Sequence, residues 1–242
     1  MRKRRNMQLL DIKNITVQVD GKEVVRDLSL SIKAGEIHAL MGPNGSGKSS
    51  LCYAIAGHPD YHVVAGKILF LGKNILSMLP EQRAKMGIFL SFQEPPEVGG
   101  VSVKTFLHLI AVEEETKKVN ERAEESLPMG VEKQFLNRPL NEGFSGGEKK
   151  KSEILQFVMR RPSLALFDEI DSGLDVDSMR AAADILQEAA RNGAALLIIS
   201  HSSRMFRKLK PDFVHIIKEG RMVASGGEEV TVRVEKEGYG VY

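Results

Sequence analysis

Gly42-Pro43-Asn44-Gly45-Ser46-Gly47-Lys48-Ser49 fits the pattern G-x-x-x-x-G-K-[ST] and sits where that pattern has a physical meaning. Glu36 to Met41 ahead of it reads as a short apolar strand, and Ser49 to Ala56 behind it as a helix stopped at Gly57. Three glycines let the backbone turn tightly enough to aim its N–H groups at phosphate oxygens, and the following helix adds its positive end. In such a loop Lys48 reaches the outer phosphates of a nucleotide and the Ser49 hydroxyl ligates Mg²⁺.

A second stretch supplies the acids that phosphate chemistry needs. Leu164-Ala165-Leu166-Phe167-Asp168-Glu169 is an apolar strand that delivers two adjacent carboxylates to its C-terminal end. Alternation points them in different directions, which suits two roles: Asp168 for the Mg²⁺ shell and Glu169 as general base for water. Ligands of open parallel sheets bind at the carboxyl ends of strands, so both motifs belong at one place.

The rest of the chain alternates strands and helices around these two. Ile12 to Val19 and Leu28 to Ile32 read as strands joined through a turn at Val19-Asp20-Gly21-Lys22, with another strand at Ile68 to Leu71. Leu79 to Met86 has helix punctuation, Pro80 at its start and Gly87 after its end. From about Glu94 to Asn141 the character changes to a charged helical insertion, with a helical run over Phe106 to Glu125. Helices follow at Ser145 to Arg161 and Asp175 to Asn192, strands at Ala195 to Ser200, Phe213 to Ile217 and Arg221 to Ala224, and a short helix ends at Leu209. The tail from Glu228 reads equally as a strand, by its alternating valines, or as a frayed helix. Alternating βα units imply a mostly parallel sheet covered on both faces.

Composition sets the outer bounds. The chain has 242 residues, and at about 150 per domain this is one to two domains. Its 34 Lys+Arg against 32 Asp+Glu leave +2, which gives no long-range attraction for nucleic acid or an anionic membrane. One cysteine, Cys52, excludes a disulfide framework or a cysteine-rich cluster site within the chain, and reads as a small buried thiol. No apolar run approaches the roughly 18 residues that span a bilayer, and the basic start, residues 1–6, lacks a signal-peptide core. A cytoplasmic protein is expected.

Phe144-Ser145-Gly146-Gly147-Glu148, just ahead of the Asp168 strand, has a physical reading of its own. Ser145-x-x-Glu148 is a capping box, and two glycines in the first turn leave N–H groups uncovered as a second anion site about 100 residues from the first. This stretch resembles the signature of ATP-binding-cassette (ABC) ATPases. The remaining marks of that family follow in order: Gln93 after the Ile88 to Phe92 strand, Ser172-Gly173-Leu174-Asp175 after Glu169, and His201 after the Ala195 to Ser200 strand.

The resemblance implies an α/β fold, an ABC-type nucleotide-binding domain over 7–242 with a RecA-like parallel-sheet core, an N-terminal antiparallel β lobe and a helical signature lobe at about 94–145. It implies ATP and Mg²⁺ as cofactors, held by Gly42, Pro43, Asn44, Gly45, Ser46, Gly47, Lys48 and Ser49 with Gln93 and Asp168. Catalysis falls to Glu169, His201 and Lys48. The signature residues Ser145, Gly146 and Gly147 complete the site of a second copy in a transient homodimer, with Asp175 contacting across it.

Finer detail resembles SufC, the ATPase of the Suf iron–sulfur cluster assembly system. It rests on Phe144 to Lys151, on Asp168-Glu169-Ile170-Asp171-Ser172-Gly173-Leu174-Asp175, on Ala56-Gly57-His58-Pro59-Asp60-Tyr61, on Gly87 to Gln93, and on the ending Gly238-Tyr239-Gly240. That implies SufB/SufD-type scaffold proteins as partners, where the other reading of the same chemistry is the ATP-binding subunit of a membrane transporter. The chain departs from the ABC pattern in having no aromatic before Tyr53, so Val19 falls where many such ATPases stack an aromatic on adenine. The helical insertion is also shorter than the resemblance implies.

Overall fold

Asp20 and Gly21 both take positive φ, 49° and 74°, the geometry of a type I′ turn, and they fold the first two strands into a tight hairpin. In the computed structural model, which describes residues 7–111, 128–200 and 203–242, these are β1 (Gln8–Val19) and β2 (Lys22–Lys33). The strand β4 (His62–Phe70) pairs antiparallel to the other side of β1, and β5 (Lys73–Asn74) closes the order β2-β1-β4-β5. The apolar pattern alone reveals only the end of β4. Its first half is mostly exposed and is held as strand by the ladder to β1, Val17 opposite Val63 and Gln18 opposite His62.

The second sheet carries the motifs. Its order is β12-β11-β3-β10-β9-β6, with β3 (Ile37–Met41), β6 (Ile88–Ser91), β9 (Leu164–Asp168), β10 (Ala195–Ile199) and β11 (Phe213–Lys218) parallel and β12 (Arg221–Gly226) antiparallel at one edge. Apart from His38 in β3 and Asp168 at the end of β9, the central strands β3, β9 and β10 are apolar because both faces are covered. Leu164 and Leu166 point into the core shared with the antiparallel sheet, whereas Ala165 and Phe167 point into a second core on the other face. Helix α1 (Lys48–Ala56) fills the first core with Leu51, Cys52 and Ile55. Helix α2 (Pro80–Lys85) precedes β6.

The region after Gln93 forms a small lobe with its own core. Strands β7 (Val98–Ser102) and β8 (Pro139–Leu140) pair, and helices α3 (Val103–Ile110) and α4 (Lys133–Asn137) pack there through Val103, Leu107, Phe135 and Leu136. The helix expected over Phe106 to Glu125 begins earlier, because Ser102 Oγ accepts the Thr105 N–H at 3.1 Å and caps it. Residues 112–125 of that run lie outside the described residues, as does the basic start, 1–6.

Helix α5 (Gly146–Arg160) joins the lobe to the body, with Leu155 and Met159 in the lobe core and Ile154 and Phe157 in the second sheet core. Helices α6 (Val176–Arg191) and α7 (Ser203–Leu209) cover the same face of the sheet. The ambiguous tail is a helix, α8 (Glu228–Glu237): Val230 and Val234, one turn apart, pack on the sheet while Val232 faces solvent.

At the end of the parallel sheet remote from the motifs, four side chains form one chain of hydrogen bonds. Ser225 Oγ lies 2.8 Å from His215 Nδ1, His215 Nε2 lies 2.8 Å from His38 Nδ1, and His38 Nε2 lies 3.1 Å from Glu36 Oε2. A carboxylate only accepts, so His38 Nε2–H donates to Glu36; with both rings kept neutral by burial, His215 then donates to His38 and Ser225 to His215. Burial lowers the pKa of both rings, His215 to about 4. An unfolded histidine takes up a proton near 6.5, so the neutral pair stabilises the fold above that pH and the stabilisation is lost as pH falls toward 4. Stability by urea unfolding should therefore fall by about 3 kcal/mol between pH 6.5 and 4 from His215 alone. His215→Gln should flatten that part of the profile.

Candidate functional site

The phosphate loop is glycine where side chains have no room. A Cβ on Gly47, at φ 102°, would lie 2.4 Å from the Val24 carbonyl oxygen, and one on Gly42 would lie 2.1 Å from that of Ile217. The loop is thus wedged between the β1–β2 hairpin and β11, which fixes where its N–H groups aim. Lys48 is buried across the loop, and its Nζ donates to the carbonyls of Gly42 at 2.9 Å and Pro43 at 2.8 Å. Burial lowers its pKa, and the charges of Asp168 and Glu169 oppose that shift. Behind the loop, the far end of α1 is closed by Arg83, which donates to the carbonyls of Ala54 at 2.8 Å and Ile55 at 3.0 Å.

The carboxylates arrive on β9. Asp168 is 1% exposed and both its carboxylate oxygens are buried without a hydrogen-bond partner. Burial pushes its pKa up; the neighbouring Ser49 hydroxyl, short of full hydrogen-bond geometry, and the lysines Lys150 and Lys48 pull the other way. An orphaned carboxylate beside a serine hydroxyl and a phosphate-binding loop is a donor set of hard oxygens, which fits Mg²⁺. Glu169 turns away from Asp168 at φ 53°, donates its N–H to the Ile199 carbonyl at 3.0 Å, and accepts Gln93 Nε2 at 3.1 Å. The structure therefore brings Lys48, Ser49, Gln93, Asp168 and Glu169 together at the carboxyl ends of β3, β6 and β9. His201 lies outside the described residues, although Ser200 just before it donates to Asp171 at 2.8 Å.

The signature turn stands on a different part of the chain. Ser145 Oγ accepts the Glu148 N–H at 3.2 Å and Glu148 Oε2 accepts the Ser145 N–H at 2.8 Å, completing the capping box. Arg138 pairs with Glu148 and lies over the Phe144 ring at 4.3 Å, so the lobe braces the turn. A Cβ on Gly147 would lie 2.7 Å from the Gly173 carbonyl, whereas one on Gly146 would meet open space. Asp175 is the N-cap of α6, accepting from Ser178 N–H at 2.7 Å and Ser178 Oγ at 3.0 Å.

Arg83 and Glu153 are parts of this region that the motif reading passes over, and it gives no individual role to Lys150. A signal exists for the last two. Positions 150, 153, 154 and 157 share one stripe of α5, and two of the four carry opposite charges on a face that is otherwise apolar.

Residues 25–172 match the family model described as ABC transporter. The chain belongs to the ABC transporter family. It is 42% identical over 249 residues to "Probable ATP-dependent transporter ycf16" of Cyanophora paradoxa, covering 96% of this chain and 93% of the relative. It is 43% identical over 241 residues to "Probable ATP-dependent transporter slr0075" of Synechocystis sp., covering 96% and 94%. The fold matches a solved structure titled "Structure of ATP binding subunit of ABC transporter" with a TM-score of 0.79 at 24% identity, covering 96% of this chain and 95% of that one. The ABC chain described here is accordingly an ATP-hydrolysing enzyme whose antiparallel lobe and parallel core are those of an ABC ATPase.

Two substitutions test the geometry. Asp168→Asn removes a buried charge without a partner, so the nucleotide-free protein should melt at a higher temperature while ATP turnover falls. Gly47→Ala should abolish binding of a fluorescent ATP analogue, because the methyl group displaces the loop from Val24.

Proposed function

We propose that this ATPase, one functional unit over residues 7–242, works in the cytoplasm and couples hydrolysis to movement of a SufB–SufD-type scaffold during iron–sulfur cluster assembly. Glu169 takes a proton from the attacking water as the γ-phosphoryl passes in line to the water oxygen and ADP leaves. Lys48 and the loop N–H groups of Gly42 to Ser49 offset the charge that builds on the phosphoryl oxygens. Ser49, Asp168 and Gln93 would hold Mg²⁺, which when bound would supply positive charge to the phosphates. His201 is assigned to the γ-phosphate side of the same site. The open Gly146 face and the N–H groups of Ser145 to Gly147 suit the γ-phosphate of a second copy, so ATP draws two chains into a transient homodimer.

The observation that supports a docked partner is a groove of about 290 Å³ lined largely by apolar atoms of Ala56, Pro59, Pro80, Ile88, Leu90 and Phe92. It opens next to Gln93, so a partner seated there touches the segment that contacts Glu169. His58 and Pro59, which line it, belong to the Ala56 to Tyr61 stretch on which the resemblance to SufC rests. The names of the relatives as ATP-dependent transporters favour a second reading, in which a membrane permease occupies the groove.

Purification from native cells in mild detergent, with the co-purifying chains identified by mass, separates the two. Soluble scaffold chains are the expected result, and an integral membrane permease overturns the assembly reading. Glu169→Gln should lower ATP turnover by roughly 10² to 10⁴-fold and leave nucleotide affinity unchanged. Because no aromatic stands at Val19, Val19→Tyr should lower KM for ATP several-fold and sharpen preference for ATP over GTP in the same assay.

A further inference from the structure

Two charged side chains on the inward face of α5 take no part in its capping box. Lys150 and Glu153 are each 2% exposed and stand one helical turn apart. The Glu153 carboxylate accepts Ser91 Oγ at 2.8 Å and the Phe92 N–H at 2.6 Å. Lys150 Nζ donates to Glu153 Oε2 at 3.3 Å, to the Phe92 carbonyl at 2.6 Å and to the Asp168 carbonyl at 3.2 Å. Phe92 immediately precedes Gln93, and Asp168 immediately precedes Glu169. The pair therefore grips the backbone just ahead of each of the two side chains that meet at 3.1 Å in the site.

Stability is a weak reason to bury such a pair. Two charges withdrawn from water lose about as much hydration as they regain from each other, and apolar side chains of similar volume serve a core as well. Apolar side chains cannot, however, hold three backbone groups from the ends of two strands at hydrogen-bond distance from one helix. That helix begins at the Ser145 to Gly147 turn, and its other residues pack in both the lobe core and the sheet core.

We propose that Glu153, together with Lys150, is a positioning pair for hydrolysis: it sets where Gln93 and Glu169 meet and ties that meeting point to the placement of the signature turn. Neither residue touches nucleotide. Both act through the backbone that carries Gln93 and Glu169, so the pair governs the chemical step and leaves ATP binding at the phosphate loop alone. The inference rests on the assignment of Gln93 and Glu169 to the hydrolytic site and is independent of which partner fills the groove.

The test uses the full chain with ATP and Mg²⁺ and reads kcat, KM, affinity for a fluorescent ATP analogue and melting temperature. The double variant Lys150→Met with Glu153→Leu removes both charges at similar volume. It should keep nucleotide affinity and KM within about twofold of the parent while kcat falls by roughly tenfold or more. Glu153→Gln, which keeps the shape but cannot accept both hydrogen bonds as a carboxylate does, should fall between the two. Parental kcat in the folded double variant overturns the proposal, and if that variant does not fold, parental kcat in Glu153→Gln does so. Glu169→Gln is run beside them: if it hydrolyses ATP at the parental rate, the site assignment itself fails, whereas a dead Glu169→Gln beside a fully active double variant sinks only the positioning pair.

Discussion

Everything at this site depends on one strand, β10, lying between β3 and β9. Its register pairs Ile199 with Leu40 on one side and with Asp168 on the other. The phosphate loop leaves β3 one residue after Met41, and the carboxylates leave the end of β9. With neighbouring strands about 4.8 Å apart, two ladder spacings set the backbones at the ends of β3 and β9 roughly 10 Å apart, a gap across which the Ser49 and Asp168 side chains approach each other. All five residues of β10 are buried. Its side chains feed the two opposite cores in turn, Ala195, Leu197 and Ile199 to one and Leu196 and Ile198 to the other. A one-residue slip would exchange those faces, so the same packing that stabilises the sheet holds the register of the site.

The site concentrates unfavourable features that this scaffold holds in place. Asp168 keeps a carboxylate in the interior with no hydrogen-bond partner, Glu169 sits in the left-handed region, and Gly42 and Gly47 bring backbone closer to other backbone than any side chain permits. Each costs stability in isolation, and together they gather backbone N–H groups and hard oxygen donors, a set whose chemistry suits phosphate and a hard cation. The buried ion pair of α5 has the same character. It contributes little as an attraction between charges, and its geometry ties the chain ends of β6 and β9 to one helix.

The phosphate loop and the signature turn are held by different parts of the fold. The phosphate loop is anchored to the sheets, whereas the signature turn is anchored to the lobe through Arg138, Phe144 and Glu148 and leans on Gly173. The groove lined by Phe92, next to Gln93, takes its other walls from the end of α1, from α2 and from β6. Phe92 lines that groove, and its own backbone is held by Lys150 and Glu153.

What the sequence determined unaided is the set of local rules. The glycine spacing before Lys48, the apolar strand ahead of Asp168 and the Ser145–Glu148 capping box are short-range patterns whose chemistry needs no tertiary context, and so the α/β class and the phosphate loop are legible in them. Only the tertiary structure decided the first half of β4, which is strand because β1 pairs with it, and the tail, which is a helix because Val230 and Val234 find the sheet. It also decided the roles of Arg83, Lys150, Glu153 and the His38–His215 pair. Their partners lie from 2 to 177 residues away in sequence, and a buried charge or imidazole acquires its meaning only from the groups that burial places against it.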